Sequence, residues 1–166
     1  IPNAFATLGG HIVVTSELYR LMPSENALAM VLAHEIAHVK ARDPISALGS
    51  GASLALVFAF VSGEADGLAP QIAGLVQLGY SRSVERRADL EAVAALRAHY
   101  GHAGGGASLF EVLAQQHDPV SGAVPTFLST HPADAERIDE LKRAAADWDP
   151  SRQPLAPVRV PAPRGD

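Results

Sequence analysis

Hydrophobic and polar positions fall into blocks along the chain. Asn3–Thr7 and His11–Thr15 are two short runs split by Leu8-Gly9-Gly10, which predicts a β-hairpin. The second run, His-Ile-Val-Val-Thr, is β-branched and reads as an edge strand. Pro23-Ser24 then marks a helix start, with Ser24 as N-cap and Glu25 favourable in the first turn. From 25 to about 41 the chain is apolar on almost every face, the pattern of a buried helix, and Asp43-Pro44 ends it. Pro44–Gly63 and Gly67–Ser81 carry no charge. The pattern predicts helix again from Pro70 to Tyr100, a break at Gly101–Gly106, a short helix over 107–117, a loop at Pro119–Pro125 and a last helix from Ala133 to about Ala146. Five prolines follow Asp147, the mark of a tail with no core of its own. The expected organisation is one domain over 1–146 and a Pro-rich tail over 147–166.

Composition narrows the chemistry. The chain has 166 residues, 48% hydrophobic and 19% charged, which is globular and near the roughly 150 residues of one domain. A net charge of −5 argues against a nucleic-acid partner, because such domains usually carry a basic footprint. With no cysteine, thiolate metal sites, disulfides and a Cys nucleophile are excluded. A metal would have to be held by carboxylates and by some of the seven histidines. The chain starts at Ile1 with no signal-like segment, so an excised or processed domain is expected.

Residues 34–38 read His-Glu-Ile-Ala-His. On a helix, positions i and i+4 lie ~40° apart around the axis and one turn apart along it, so both imidazoles can reach one ion. Glu35 lies ~100° round from His34, beside the ion, where it can take a proton from a water. This is the arrangement of zinc hydrolases. Burying two imidazoles and a carboxylate costs several kcal/mol unless something binds them. A third ligand is still needed. Position 44, where a later histidine would complete an extended motif, is Pro. The candidates are Glu64, Glu85, Asp89, Glu91 and Glu111. Glu85 stands out, with Asp89 one turn further along the same face to accept the far N–H of a ligand imidazole. Ala88 between them is small enough for two helices to approach closely.

With these residues in hand the chain resembles the HtpX / CAAX-prenyl-protease-type zinc metallopeptidases, peptidase family M48. The matching segments are Asn3–Thr7 with Gly9–Thr15, His34–His38, Glu85–Asp89, and Thr130-His131-Pro132 followed by Arg137-Ile138. They span about residues 3–140 in the family's order. Two features depart from the pattern: a strand usual before Ile1 is absent, and Leu8 stands where Pro is common. The resemblance implies an α+β, zincin-like fold, mostly helical with a small hairpin beside the active-site helix. It implies one zinc ion per chain held by His34, His38 and Glu85, with Glu35 as base and Asp89 behind a ligand imidazole. It also implies that a polypeptide substrate adds as a strand along His11, Ile12, Val13 and Val14. His131 is expected near the zinc, either stabilising the oxyanion or filling the fourth position. Arg137 is expected to brace that loop by pairing with a carboxylate, and His99, His102 and His117 to be ordinary surface histidines.

The ligand order constrains the uncharged stretches. His34 and His38 precede them and Glu85 follows, so a single membrane crossing would put the ligands on opposite sides of the bilayer. The insert therefore holds two spans or none, and Gly67–Ser81 is short and polar for a span, so Pro44–Gly63 is expected to form a helical flap or hairpin over the site, touching a membrane or a hydrophobic substrate. The function expected is a zinc-dependent endopeptidase acting in quality control of unfolded, membrane or envelope proteins. A bacterial periplasmic or membrane-associated address is expected, with a membrane surface or an upstream anchor as further partners. A latent, chaperone-like zinc protein with a covered site is the alternative, and no clamp for a substrate terminus points to an exopeptidase.

Overall fold

The computed structural model describes residues 1–7, 9–47, 80–115 and 126–159. The hairpin forms as β1, Ala4–Ala6, and β2, Ile12–Val14, antiparallel with Phe5 opposite Val13. Gly10, at φ 79°, supplies the left-handed residue its turn requires. Thr15 ends β2 and caps α1, Ser16–Leu21, its side chain accepting from the Leu18 N–H. This helix was not anticipated from the sequence. Its signal is a Thr cap with Glu17 in the first turn, over only six residues.

α2 runs Glu25–Ala41, and Ser24 Oγ accepts from the Ala27 N–H at 3.2 Å, as its capping position requires. Arg42 closes the helix in a left-handed conformation, φ 58°, and the short α3, Asp43–Ala47, follows at once. Then come α4, Arg82–Tyr100, α5, Ser108–Gln115, α6, Thr126–Thr130, and α7, Ala135–Ala144. The expected helix start at Pro70 is corrected where the chain is described. Ser81 is extended at ψ 154° and its side chain accepts from the Val84 N–H, so α4 begins at Arg82. Between the expected loop at Pro119–Pro125 and the last helix, where the sequence predicts no element, lies α6. The 48–79 part of the uncharged stretches, Glu64, His117 and the Pro119–Pro125 loop lie outside the described residues.

The protein is mostly helical with one two-stranded sheet, an α+β arrangement. Its organising contact is α2 against α4. On α4 the buried positions are Glu85, Ala88, Asp89, Ala92 and Leu96, one stripe at helical spacing. Ala88 and Ala92 are wholly buried and small, which lets the two helices come close. Met30, Val31, Leu109, Leu113 and Phe127 fill the space beyond them. Each such large apolar side chain contributes about 1.5–3 kcal/mol of burial. The apolar end of the helix pair thus anchors the polar end, where Glu85 and Asp89 face α2.

Residues 147–159 lean on this body. The Trp148 ring stacks on His102 with centroids 5.8 Å apart, the Glu25 N–H donates to the Ala156 carbonyl at 2.8 Å, and the Tyr19 hydroxyl donates to the Arg159 carbonyl at 2.8 Å. His102 is therefore not a surface histidine: it is buried, and its Nδ1 accepts from the Gly104 N–H at 3.0 Å. His99 is exposed. Among the described residues no helix is long and apolar enough to cross a membrane.

Candidate metal centre

α2 presents His34 and His38 one turn apart on its buried side, with Glu35 beside them. α4 brings Glu85 up to the pair, and the turn after α6 delivers His131. All four of His34, His38, Glu85 and His131 are buried, and one potential ligand atom from each lies within 4.8 Å of the others. His34 Nε2 is 3.0 Å from His38 Nε2 and 3.3 Å from His131 Nδ1. Glu85 Oε1 is 3.3 Å from His38 Nε2 and 3.1 Å from His131 Nδ1, and its Oε2 is 3.3 Å from His34 Nε2.

Each imidazole turns its other nitrogen to a carboxylate. His34 Nδ1 lies 2.9 Å from Asp89 Oδ1, His38 Nδ1 2.8 Å from Asp43 Oδ2, and His131 Nε2 3.2 Å from Glu35 Oε1. Of the three, His38 Nδ1 to Asp43 has hydrogen-bond geometry; in neutral rings a carboxylate on that side favours the tautomer with its proton there and the lone pair inward. Two inward lone pairs 3.0 Å apart repel unless a proton or a cation lies between them. The charges agree. Glu35, Asp43, Glu85 and Asp89 are buried; Arg87 pairs with Asp43, and Arg137 with Glu85 and Asp89, so two guanidinium groups against four carboxylates leave two negative charges with neutral imidazoles. A divalent cation would balance them, and imidazole and carboxylate are ligands suited to zinc. The donor set therefore fits such an ion.

Without an ion, protons carry that balance. Burial disfavours the charged His34 ring, but Asp89 and Glu85 outweigh it and its pKa is raised. Burial works the same way on His131, and Glu35 and Glu85 lift it to about 9. Burial would raise the Glu35 and Glu85 carboxyls, yet the facing histidines, His131 first, hold both below their ordinary values. Asp89 is lowered too, with Arg137 and then His34 overcoming its burial.

Arg137 ties the pieces together. It is buried, its NH2 donates to Asp89 Oδ1 at 2.9 Å, and its NH1 lies 2.6 Å from Glu85 Oε2. NH1 also donates to the Pro132 carbonyl at 2.7 Å, which braces the turn carrying His131. The other carboxylate candidates that are described lie elsewhere: Glu91 pairs with Lys40 and Glu111 with Lys142. Two residues escaped the sequence reading. One is Asp43; the other is Tyr80, whose ring stacks on His38 at 4.2 Å and whose N–H donates to the Thr130 carbonyl. Burial, then Glu35, Asp43 and Glu85, push its hydroxyl well above the usual phenol range. His11, just ahead of β2, is exposed, as is Val13 on it, while Ile12 and Val14 are half-buried.

Comparison with known proteins runs the same way. The model of Peptidase family M48 matches residues 1–145. The chain is 32% identical to the putative beta-barrel assembly-enhancing protease of Vibrio cholerae, over 93% of its own length and 34% of that protein's. It is 33% identical to the protease HtpX homolog of Paraburkholderia phytofirmans, over 87% of its own length and 65% of the relative's. With the mitochondrial metalloendopeptidase OMA1 of Saccharomyces cerevisiae the identity is 28%, over 86% of this chain and 43% of the relative. The chain thus spans about a third of the length of the beta-barrel assembly-enhancing proteases it matches. Since the family match takes in every element from β1 to α7 and every residue of the centre, the chain belongs to peptidase family M48, a family of metallopeptidases.

Proposed function

We propose that the chain is a zinc-dependent endopeptidase that cuts unfolded or misassembled membrane and envelope proteins, a quality-control activity. The observation that carries this reading is the set of three imidazoles, each backed by a carboxylate, gathered round Glu85 with Glu35 alongside. His34, His38 and Glu85 would hold the zinc, which when bound supplies a Lewis acid to polarise a water and the scissile carbonyl. Glu35 takes the water's proton on its carboxylate and returns it to the leaving amine. His131, protonated beside Glu35, offers an N–H to the oxygen on which charge develops. Asp89 and Arg137 keep His34 and Glu85 from turning away. The name of the Vibrio cholerae relative supports a substrate among beta-barrel proteins undergoing assembly.

The substrate adds as a strand along His11–Val14. The hairpin's pairing supports this. The Thr7 N–H bonds to the His11 carbonyl and the Thr15 N–H to the Asn3 carbonyl. Alternation between those bonded pairs turns the N–H and C=O of Ile12 and Val14 outward on β2. Such backbone recognition tolerates many side chains, as a scavenger of unfolded chains requires. Glu35→Gln tests the whole reading: zinc content stays stoichiometric while cleavage of unfolded casein falls about 10²–10⁴-fold. Unchanged cleavage would remove Glu35 from the reaction.

One observation favours a second reading. His131 Nδ1 reaches both His34 Nε2 and Glu85, so His131 can fill the fourth position and keep a latent site shut.

A further inference from the structure

Glu35, Glu85 and Asp89 belong to the two sequence motifs of the centre; Asp43 belongs to neither, yet it is as buried as Asp89. It stands five residues past His38, at the first position of α3. It gets there because the left-handed Arg42 turns the chain back toward the last turn of α2. A carboxylate opening a helix commonly serves that helix's own amides. Asp43 Oδ2 turns elsewhere: it accepts from His38 Nδ1 at 2.8 Å and also from the Arg87 guanidinium of α4.

We infer that Asp43 is a positioning residue of the metal centre, fixing the rotation of the His38 ring and the basicity of its inward nitrogen. This rests on the reading of the cluster as a zinc site. Tyr80 stacks on one face of His38 at 4.2 Å and so sets the ring's plane. Within that plane a half-turn about Cβ–Cγ would put Cδ2 and Cε1 where Nδ1 and Nε2 stand. The Asp43 contact selects the orientation in which Nε2 faces His34 and Glu85, at 3.0 and 3.3 Å. A negative acceptor on Nδ1 also pushes electron density toward Nε2 and strengthens it as a ligand. Arg87 completes a ring of contacts. It follows Glu85 by two residues on α4, so one carboxylate joins the helix of the histidines to the helix of the glutamate. His34 and His38 are then equivalent in design, with Asp89 behind one and Asp43 behind the other.

The test is zinc competition between the full chain and a chromophoric chelator, with the visible spectrum of the cobalt-substituted protein as a second readout. Asp43→Asn keeps the shape and the hydrogen-bond acceptor but loses the charge. Its zinc affinity is expected to fall about 10-fold and its cobalt bands to shift, with Asp43→Ala weaker still, toward 100-fold. A role confined to the Arg87 ion pair would lower the melting temperature of the metal-free protein and leave affinity and spectrum alone. Asp43→Asn binding zinc within twofold of the parent, with an unshifted cobalt spectrum, overturns the inference while leaving the zinc site standing. A parent chain that takes up no zinc overturns both.

Discussion

Glu35 Oε1 lies 3.2 Å from His131 Nε2, an ion pair between a helix near the start of the chain and a turn almost a hundred residues later. On the proposed reading these are the two groups that handle the water's proton and the developing oxyanion, and the contact holds them at a fixed separation. His131→Ala is expected to lower kcat on casein about 10²-fold with little change in KM, the usual loss when one oxyanion donor is removed. A rise in activity would instead establish the latent reading, in which His131 blocks the fourth position.

Metal uptake is expected to release protons. Without an ion, the pKa values of both His34 and His131 are raised, His131 to about 9. At pH 6, below the ordinary imidazole value of about 6.5, both rings are charged; His34 must give up a proton to bind a cation, whereas His131 keeps its own as the N–H donor facing Glu35. Calorimetry in buffers of different ionisation enthalpy should count about one proton per ion, with affinity falling as pH drops. Two protons would mean that His131 also deprotonates and fills the fourth position.

Removing Arg137 should strand a buried carboxylate. Arg137→Met leaves Asp89 with its own burial uncompensated on that side. The metal-free protein is expected to lose about 3–5 kcal/mol, read by urea denaturation. The sign with pH follows from Asp89. Its folded pKa is lowered, so its contribution is full above the unfolded value near 3.9 and is lost as pH falls through the folded one. Arg137→Met should therefore flatten the acid side of the stability profile.

Trp148 reports on the C-terminal segment. It is the chain's single tryptophan, and a Cβ added to Gly104 would come within 2.2 Å of its ring. Gly104→Ala must displace Trp148 or shift the backbone, at about 1–3 kcal/mol. A red-shifted emission at unchanged helix content is the expected result. An unshifted spectrum would mean that the loop yields instead.

The legible parts of this protein are those set by short spacing. His34, Glu35 and His38 share one helical turn, and Ser24 announces the helix that carries them. Glu85 and Asp89 were visible as a pair for the same reason. Asp43 was hidden because its contact depends on one left-handed residue, Arg42, which no pattern of apolar positions encodes. His102 was misread because what buries it is Trp148, far along the chain in a segment that looks like a free tail. The start of α4 was misplaced because Gly67–Ser81 is uniformly uncharged, so the break before Arg82 leaves no change of period. Only the Ser81 cap marks it.

The charge balance inside the metal centre has a bearing on how the protein matures. Protons on two imidazoles can stand in for the ion, so the polypeptide can finish folding with an empty but electrically quiet pocket. Loading of a cation would then be an exchange for protons on a completed scaffold. A chain built this way would stay inert until that cation reaches it.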